Sequence, residues 1–139
     1  MPIKELKNQS SIIFSCSGKS HLARIGNDIA VTLQNDHAVT MGCIAGIASN
    51  IASQINDAKQ SDSIIALDAC ECHCVKRCLN EKGILIHKHF DLSELNKTTE
   101  KQDTYTKLTD TTQTDTNQTL VHALQIMQIV YAELNLTSR

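Results

Sequence analysis

Short apolar runs alternate with stretches of helical period through most of this chain, and that alternation limits the folds open to it. Residues 11–15 read as a buried strand, in which Ile12, Ile13 and Phe14 are followed by small residues. Ser20 is expected to cap a helix, because Leu22, Ile25, Ile29 and Leu33 then repeat three and four apart. Asn35, Asp36 and His37 suggest a turn before a second strand over 38–41. A further helix is expected from about Cys43, with Ile44, Ile47, Ala48, Ile51, Ala52, Ile55 and Ala58 as one apolar stripe. Ser61, Asp62 and Ser63 end it, and 64–67 read as a third strand. A short helix over 72–81 is expected to stop at Gly83 as its C′ glycine, with a fourth strand opening at Gly83.

Strands and helices in strict alternation imply parallel pairing with right-handed crossovers. Strands apolar along their whole length imply helices on both faces. The expected fold is therefore α/β: a small three-layer, Rossmann-like or flavodoxin-like parallel sheet of about four strands, plus a C-terminal helix. A chain of 139 residues suits one domain. Within it we expect an α/β core over 8–92, a polar, threonine-rich insert over 93–119 and a helix over 120–134. That last helix has a wide apolar face (Leu120, Val121, Leu124, Met127, Val130, Tyr131, Leu134), broadened by Ile126 and Ile129. Such a face suits burial over the sheet or a homodimer contact.

Several classes are disfavoured. A formal charge of −2 gives no attraction to nucleic acid or anionic membranes, and 3% aromatic residues leave little for base stacking. No apolar run approaches the roughly 20 residues of a membrane span. The start Met1-Pro2-Ile3-Lys4-Glu5 is not followed by the apolar stretch of a secretory signal. The expectation is a cytoplasmic protein with neither nucleic-acid nor membrane partners. There, clustered cysteines are more often metal ligands or reactive thiols than disulfides.

The cysteines stand where predicted strands end. Cys16 closes the first run, Cys43 follows the second, and Cys70, Cys72, Cys74 and Cys78 follow the third. In an open parallel sheet the carboxyl ends share one edge, where ligands bind, so thiols distant in sequence meet there. Cys16, Cys43, Cys70 and Cys74 are the candidate metal ligands, with Cys72 and His73 as further candidates. Cys70 and Cys74, four apart, would grip one ion if helical. Four thiolates at ~2.3 Å is a common structural zinc arrangement, and an iron–sulfur cluster takes the same donors. Such a zinc centre carries a net charge of −2, which Lys19, Lys76 or Arg77 would offset. Cys78 is read as facing the sheet, His21 and His73 as surface residues or site members, and His87 and His89 as ordinary strand residues.

The motifs Phe14-Ser15-Cys16-Ser17-Gly18, Met41-Gly42-Cys43-Ile44-Ala45-Gly46-Ile47 and Leu67-Asp68-Ala69-Cys70-Glu71-Cys72-His73-Cys74 stand in the order found in the DGC-domain proteins. The chain resembles that family, small bacterial and archaeal proteins described as zinc-binding, over about 11–97. The family's Asp-Gly-Cys, with a further Cys four residues on, is matched by Asp68, Cys70 and Cys74. Cys16, Cys43 and the pair Asp91-Leu92 match its remaining motif positions. The resemblance implies zinc as cofactor and supplies neither substrate nor reaction. Ala69 stands where the family has glycine. Cys72 and Cys78 lie outside its pattern, and the polar insert is longer than usual.

Other motif readings compete. Gly18-Lys19-Ser20 after a strand resembles a P-loop, but Ile13 occupies the position where the first glycine belongs. A strand–Cys–loop–helix also resembles low-molecular-weight cysteine phosphatases and arsenate reductases. Their arginine six residues after the cysteine is Leu22 here, and Arg24 follows two residues later. A thiol-dependent enzyme remains the alternative: Cys16 as nucleophile, a cysteine of 70–78 resolving it, and Asp68 as an acid or a helix cap. Metal site and thiol enzyme are both left open by the residues.

Overall fold

The computed structural model describes residues 10–18, 20–36, 39–94, 124–125, 127–129 and 131–132. Its elements are β1 (Ser11–Ser15), α1 (His21–Asn35), β2 (Thr40–Met41), α2 (Ile44–Ala48), α3 (Ala52–Gln60), β3 (Ser63–Asp68), α4 (Cys74–Glu81) and β4 (Lys88–Asp91). All four strands are parallel, in the order β2-β1-β3-β4. The chain reverses its direction of travel across the sheet between β1 and β3. That reversal opens a crevice at their carboxyl ends, where doubly wound folds bind ligands.

Strand side chains alternate between two cores. Ile13, Ile65, Leu67 and Phe90 pack with Ile25, Ile29 and Leu33 of α1. Phe14, Ile64 and Ala66 pack with Ile47, Ala58, Val75 and Leu79 from α2, α3 and α4. Helices thus cover both faces, which is why the strands read as unbroken apolar runs. Each fully buried Ile or Leu contributes about 1.5–3 kcal/mol.

Ser20 caps α1 as expected, its Oγ accepting the Ala23 N–H at 3.1 Å. Gly83 ends α4 with φ +66, and the Gly83 and Ile84 amides donate back to Asn80 and Leu79. This is a Schellman closure. The same device splits the helix expected to run unbroken from Cys43. Asn50 turns left-handed at φ 64, and the Asn50 and Ile51 amides donate to Ile47 and Gly46. Asparagine tolerates that conformation, so α2 stops and α3 starts afresh. Ile51, counted in the apolar stripe, is exposed as a result.

Other boundaries differ. The second strand is Thr40–Met41, and residue 38 lies outside the described residues. The fourth strand begins at Lys88 rather than Gly83, after Ile84 has turned into the α4 core. Most of the insert lies outside the described residues, as do parts of the C-terminal helix. Of that helix's described residues, Met127 and Tyr131 pack on the α1 side, and Tyr131 Oη donates to Asp36 Oδ2 at 2.5 Å. Leu124 and Ile129 are exposed. Among the described residues, no helix is long and apolar enough to cross a membrane.

Candidate functional site

The ends of β1 and β3 are tied through Cys16. Its N–H donates to Leu67 O at 2.9 Å, and its sulfur accepts the Ala69 N–H. Ala69 is buried and is not among the residues with positive φ, so alanine is unstrained in the family's glycine position. Burial pushes the Cys16 thiol up in pKa. The Ala69 amide opposes this, and the charges of Cys70, Asp68 and Cys74 push further upward. Those neighbours confirm that the loop after β3 comes to Cys16.

Cys70 O accepts the His73 N–H at 3.2 Å in a tight turn. The helix therefore starts at Cys74, not Cys72, and Cys70 and Cys74 do not form a helical pair. The Cys72 thiol is raised by a hydrogen bond with Cys70, then by the charges of Cys70 and Cys74, while Arg77 pulls it down. Cys43 is the N-cap residue of α2, and Gly42 ahead of it donates to Ile13 O at 2.8 Å. Gly42 cannot carry a side chain, because a Cβ would lie 2.7 Å from Phe14 Cζ and 2.9 Å from Ile12 Cγ2. Cys78 is half-buried one turn beyond Cys74. All the cysteines are free, and Cys43, Cys70, Cys72 and Cys74 are exposed. Among the described residues, no three His, Cys, Asp or Glu side chains are already arranged to hold a metal ion. The thiols share an edge as an open set.

Beside them lies a cluster of which sequence reasoning singled out Asp68 and His73 but missed their pairing with His89 and Asp91. Parallel register places Asp68 opposite Asp91 at the ends of β3 and β4. Two carboxylates so close need compensating donors. Asp68, 1% exposed, accepts from the Val75 N–H (2.9 Å), the Lys76 N–H (3.2 Å) and His89 Nε2 (2.8 Å). It caps α4 from the neighbouring strand. Asp91 Oδ2 lies 2.6 Å from His73 Nε2, while Oδ1 accepts from the Ser93 N–H (2.9 Å), Ser93 Oγ and the Glu94 N–H (3.4 Å). Burial works to raise Asp91, but the hydrogen bonds from Ser93, His73 and Glu94 outweigh it and hold the carboxyl below its ordinary value. The two imidazoles meet edge to face, 5.1 Å apart.

His73 is therefore a part-buried member of the site edge, one of the two readings open to it, and His89 pairs with it there rather than being an ordinary strand residue. His87 stands outside the strand, with its Nδ1 accepting the Ile64 N–H at 3.0 Å. Arg24 borders an open hollow of about 540 Å³ with Ser17, Gly18, Asn27 and Asp28, and Cys16 does not line it. The only sequence signal for the histidine–carboxylate cluster was the recurrence of Asp and His around the ends of two strands.

This architecture, with cysteine motifs after three parallel strands, defines a small α/β protein with a thiol-lined sheet edge. A family model described as DGC domain matches residues 12–122, and the chain belongs to that family. The anaerobic and virulence modulator AnvM of Pseudomonas aeruginosa is 36% identical over 83 residues, covering 60% of this chain and 63% of AnvM. The chain thus matches less than two thirds of that relative's length. No solved structure matches it.

Proposed function

We propose that this chain is a cysteine-thiolate metal-binding protein whose ion is zinc, drawn to Cys16, Cys43, Cys70 and Cys74 at the carboxyl ends of β1, β2 and β3. The observation that carries this reading is the meeting of Cys16 with the Cys70–Cys74 loop at the β1/β3 crevice. The donors suit the ion: thiolates are zinc's preferred structural ligands, and exposed thiols can reorient around it. The Arg77 charge works against the upward push on the Cys72 thiol. Bound zinc would supply positive charge and cross-link three strand ends. The relative's printed name describes a modulator, and we extend that to this chain as a metal-dependent regulatory role. The thiol-enzyme alternative has no observation in its favour: burial pushes the Cys16 thiol up, which a bound metal ion would reverse and an unassisted nucleophile would not. Chelator competition on single serine variants tests the reading. Cys16→Ser, Cys43→Ser, Cys70→Ser and Cys74→Ser should each weaken zinc binding strongly, and Cys78→Ser should not. Equal affinity in all five would refute it.

A further inference from the structure

The turn after β3 brings two thiols together. Cys70 O accepts the His73 N–H at 3.2 Å, so residues 70–73 form a tight turn with Cys70 first and Cys72 third. In an extended chain, residues two apart are separated by about 7 Å, at the limit a disulfide can bridge. In a tight turn, two Cα–Cα steps of about 3.8 Å meet near a right angle and leave about 5.4 Å. Disulfides span roughly 4.4–6.8 Å between Cα atoms, so the turn puts this pair in range.

The side chains use that closeness, for the Cys72 thiol is hydrogen-bonded to Cys70. Both residues are exposed, so a small reagent can reach either sulfur. The other thiols are placed differently. Cys74 acts on Cys72 by charge rather than by a hydrogen bond, and it lies beyond the left-handed His73 as the first residue of α4. Cys16 is half-buried, and its sulfur accepts the Ala69 N–H. Cys78 is half-buried one turn further along α4.

We propose that Cys70 and Cys72 are a dithiol–disulfide pair, closed reversibly by a small-molecule disulfide of the glutathione class. One sulfur of the pair attacks the oxidant, forming a mixed disulfide and expelling one small thiol. The neighbouring sulfur then attacks the protein sulfur of that mixed disulfide and expels the second. The pair gives up two electrons and two protons, and the oxidant leaves as two thiols. Exposed disulfides belong to the labile class, which a small thiol opens again. One sulfur cannot be both a ligating thiolate and half of a disulfide. Closing the pair therefore withdraws Cys70 from zinc, a consequence that rests on the thiolate-metal reading above. The pair itself does not depend on that reading.

Differential alkylation of the full chain, freed of metal by a chelator, tests the pair across glutathione buffers from reducing to oxidising. Free thiols take a light tag, and disulfides are then reduced and take a heavy one. Mass spectrometry reads the tags on the tryptic peptide 60–76, which carries Cys70, Cys72 and Cys74. The heavy tag should rise on Cys70 and Cys72 together and vanish on return to reducing buffer, while Cys74 stays light. Cys72→Ser should instead retain glutathione on Cys70, and Cys78→Ser should behave as the parent. A heavy tag on Cys74 or Cys16 in place of Cys72, or a parent that retains glutathione as Cys72→Ser does, overturns the inference. Chelator competition reads the zinc consequence, and the oxidised chain should lose zinc that the reduced chain holds. Equal affinity in the two forms overturns that coupling. A reduced parent that binds no zinc overturns the metal reading and leaves the pair standing.

Discussion

Removing the Asp68 carboxylate should loosen the junction between sheet and site more than its single position suggests. Asp68→Ala deletes the acceptor for two amides at the start of α4, a capping loss of about 1 kcal/mol. It also strands the buried Val75 N–H and leaves His89 without its charged partner, adding roughly 1–3 kcal/mol. The expected total is about 3 kcal/mol, a large part of the about 5–15 kcal/mol typical of a domain. For a chain of this size that lowers Tm by roughly 10 °C. Asp68→Asn keeps one oxygen for Val75 and should cost only about 1 kcal/mol. Thermal unfolding followed by circular dichroism, without metal and at neutral pH, measures both. An alanine variant melting within roughly 2 °C of the parent, or no gap between the two variants, would refute the reasoning.

Gly42→Ala forces a methyl against Phe14 and Ile12, so stability should fall by about 1–3 kcal/mol and zinc affinity with it, since Cys43 is the next residue. Urea unfolding and chelator competition read the two effects, and a neutral alanine variant would contradict the packing argument. Tyr131 is buried and donates to Asp36, and burial first, then Asp36, pushes its pKa from 10.0 to about 12. Because the folded value is raised, its contribution to stability is complete below pH 10 and is lost as pH rises through about 12. Ultraviolet titration in a Tyr105→Phe background should show the remaining phenol ionising near 12, and ionisation near 10 would contradict the contact.

The sheet was legible in the sequence because parallel strands buried on both faces leave uninterrupted apolar runs. Ser20 and Gly83 were legible because local chemistry dictates their roles. Asn50 was not, since the apolar stripe continues past it through Ile55 and the stop lies in one left-handed backbone angle. The cysteine edge followed from fold class, but the turn at Cys70–His73 undid the expected helical pair. The histidine–carboxylate cluster depends on the pairing of Asp68 with Asp91. Register across two strands is a tertiary fact that periodicity does not carry.

The most direct test of the thiolate-metal account is elemental analysis of tag-free protein purified anaerobically, with a count of thiols that react with an alkylating agent. The account predicts a single zinc per chain, with Cys16, Cys43, Cys70 and Cys74 protected until a chelator removes it. Metal-free protein that binds no added zinc, with Cys16 alkylated fastest near neutral pH, would contradict it and turn attention to thiol chemistry.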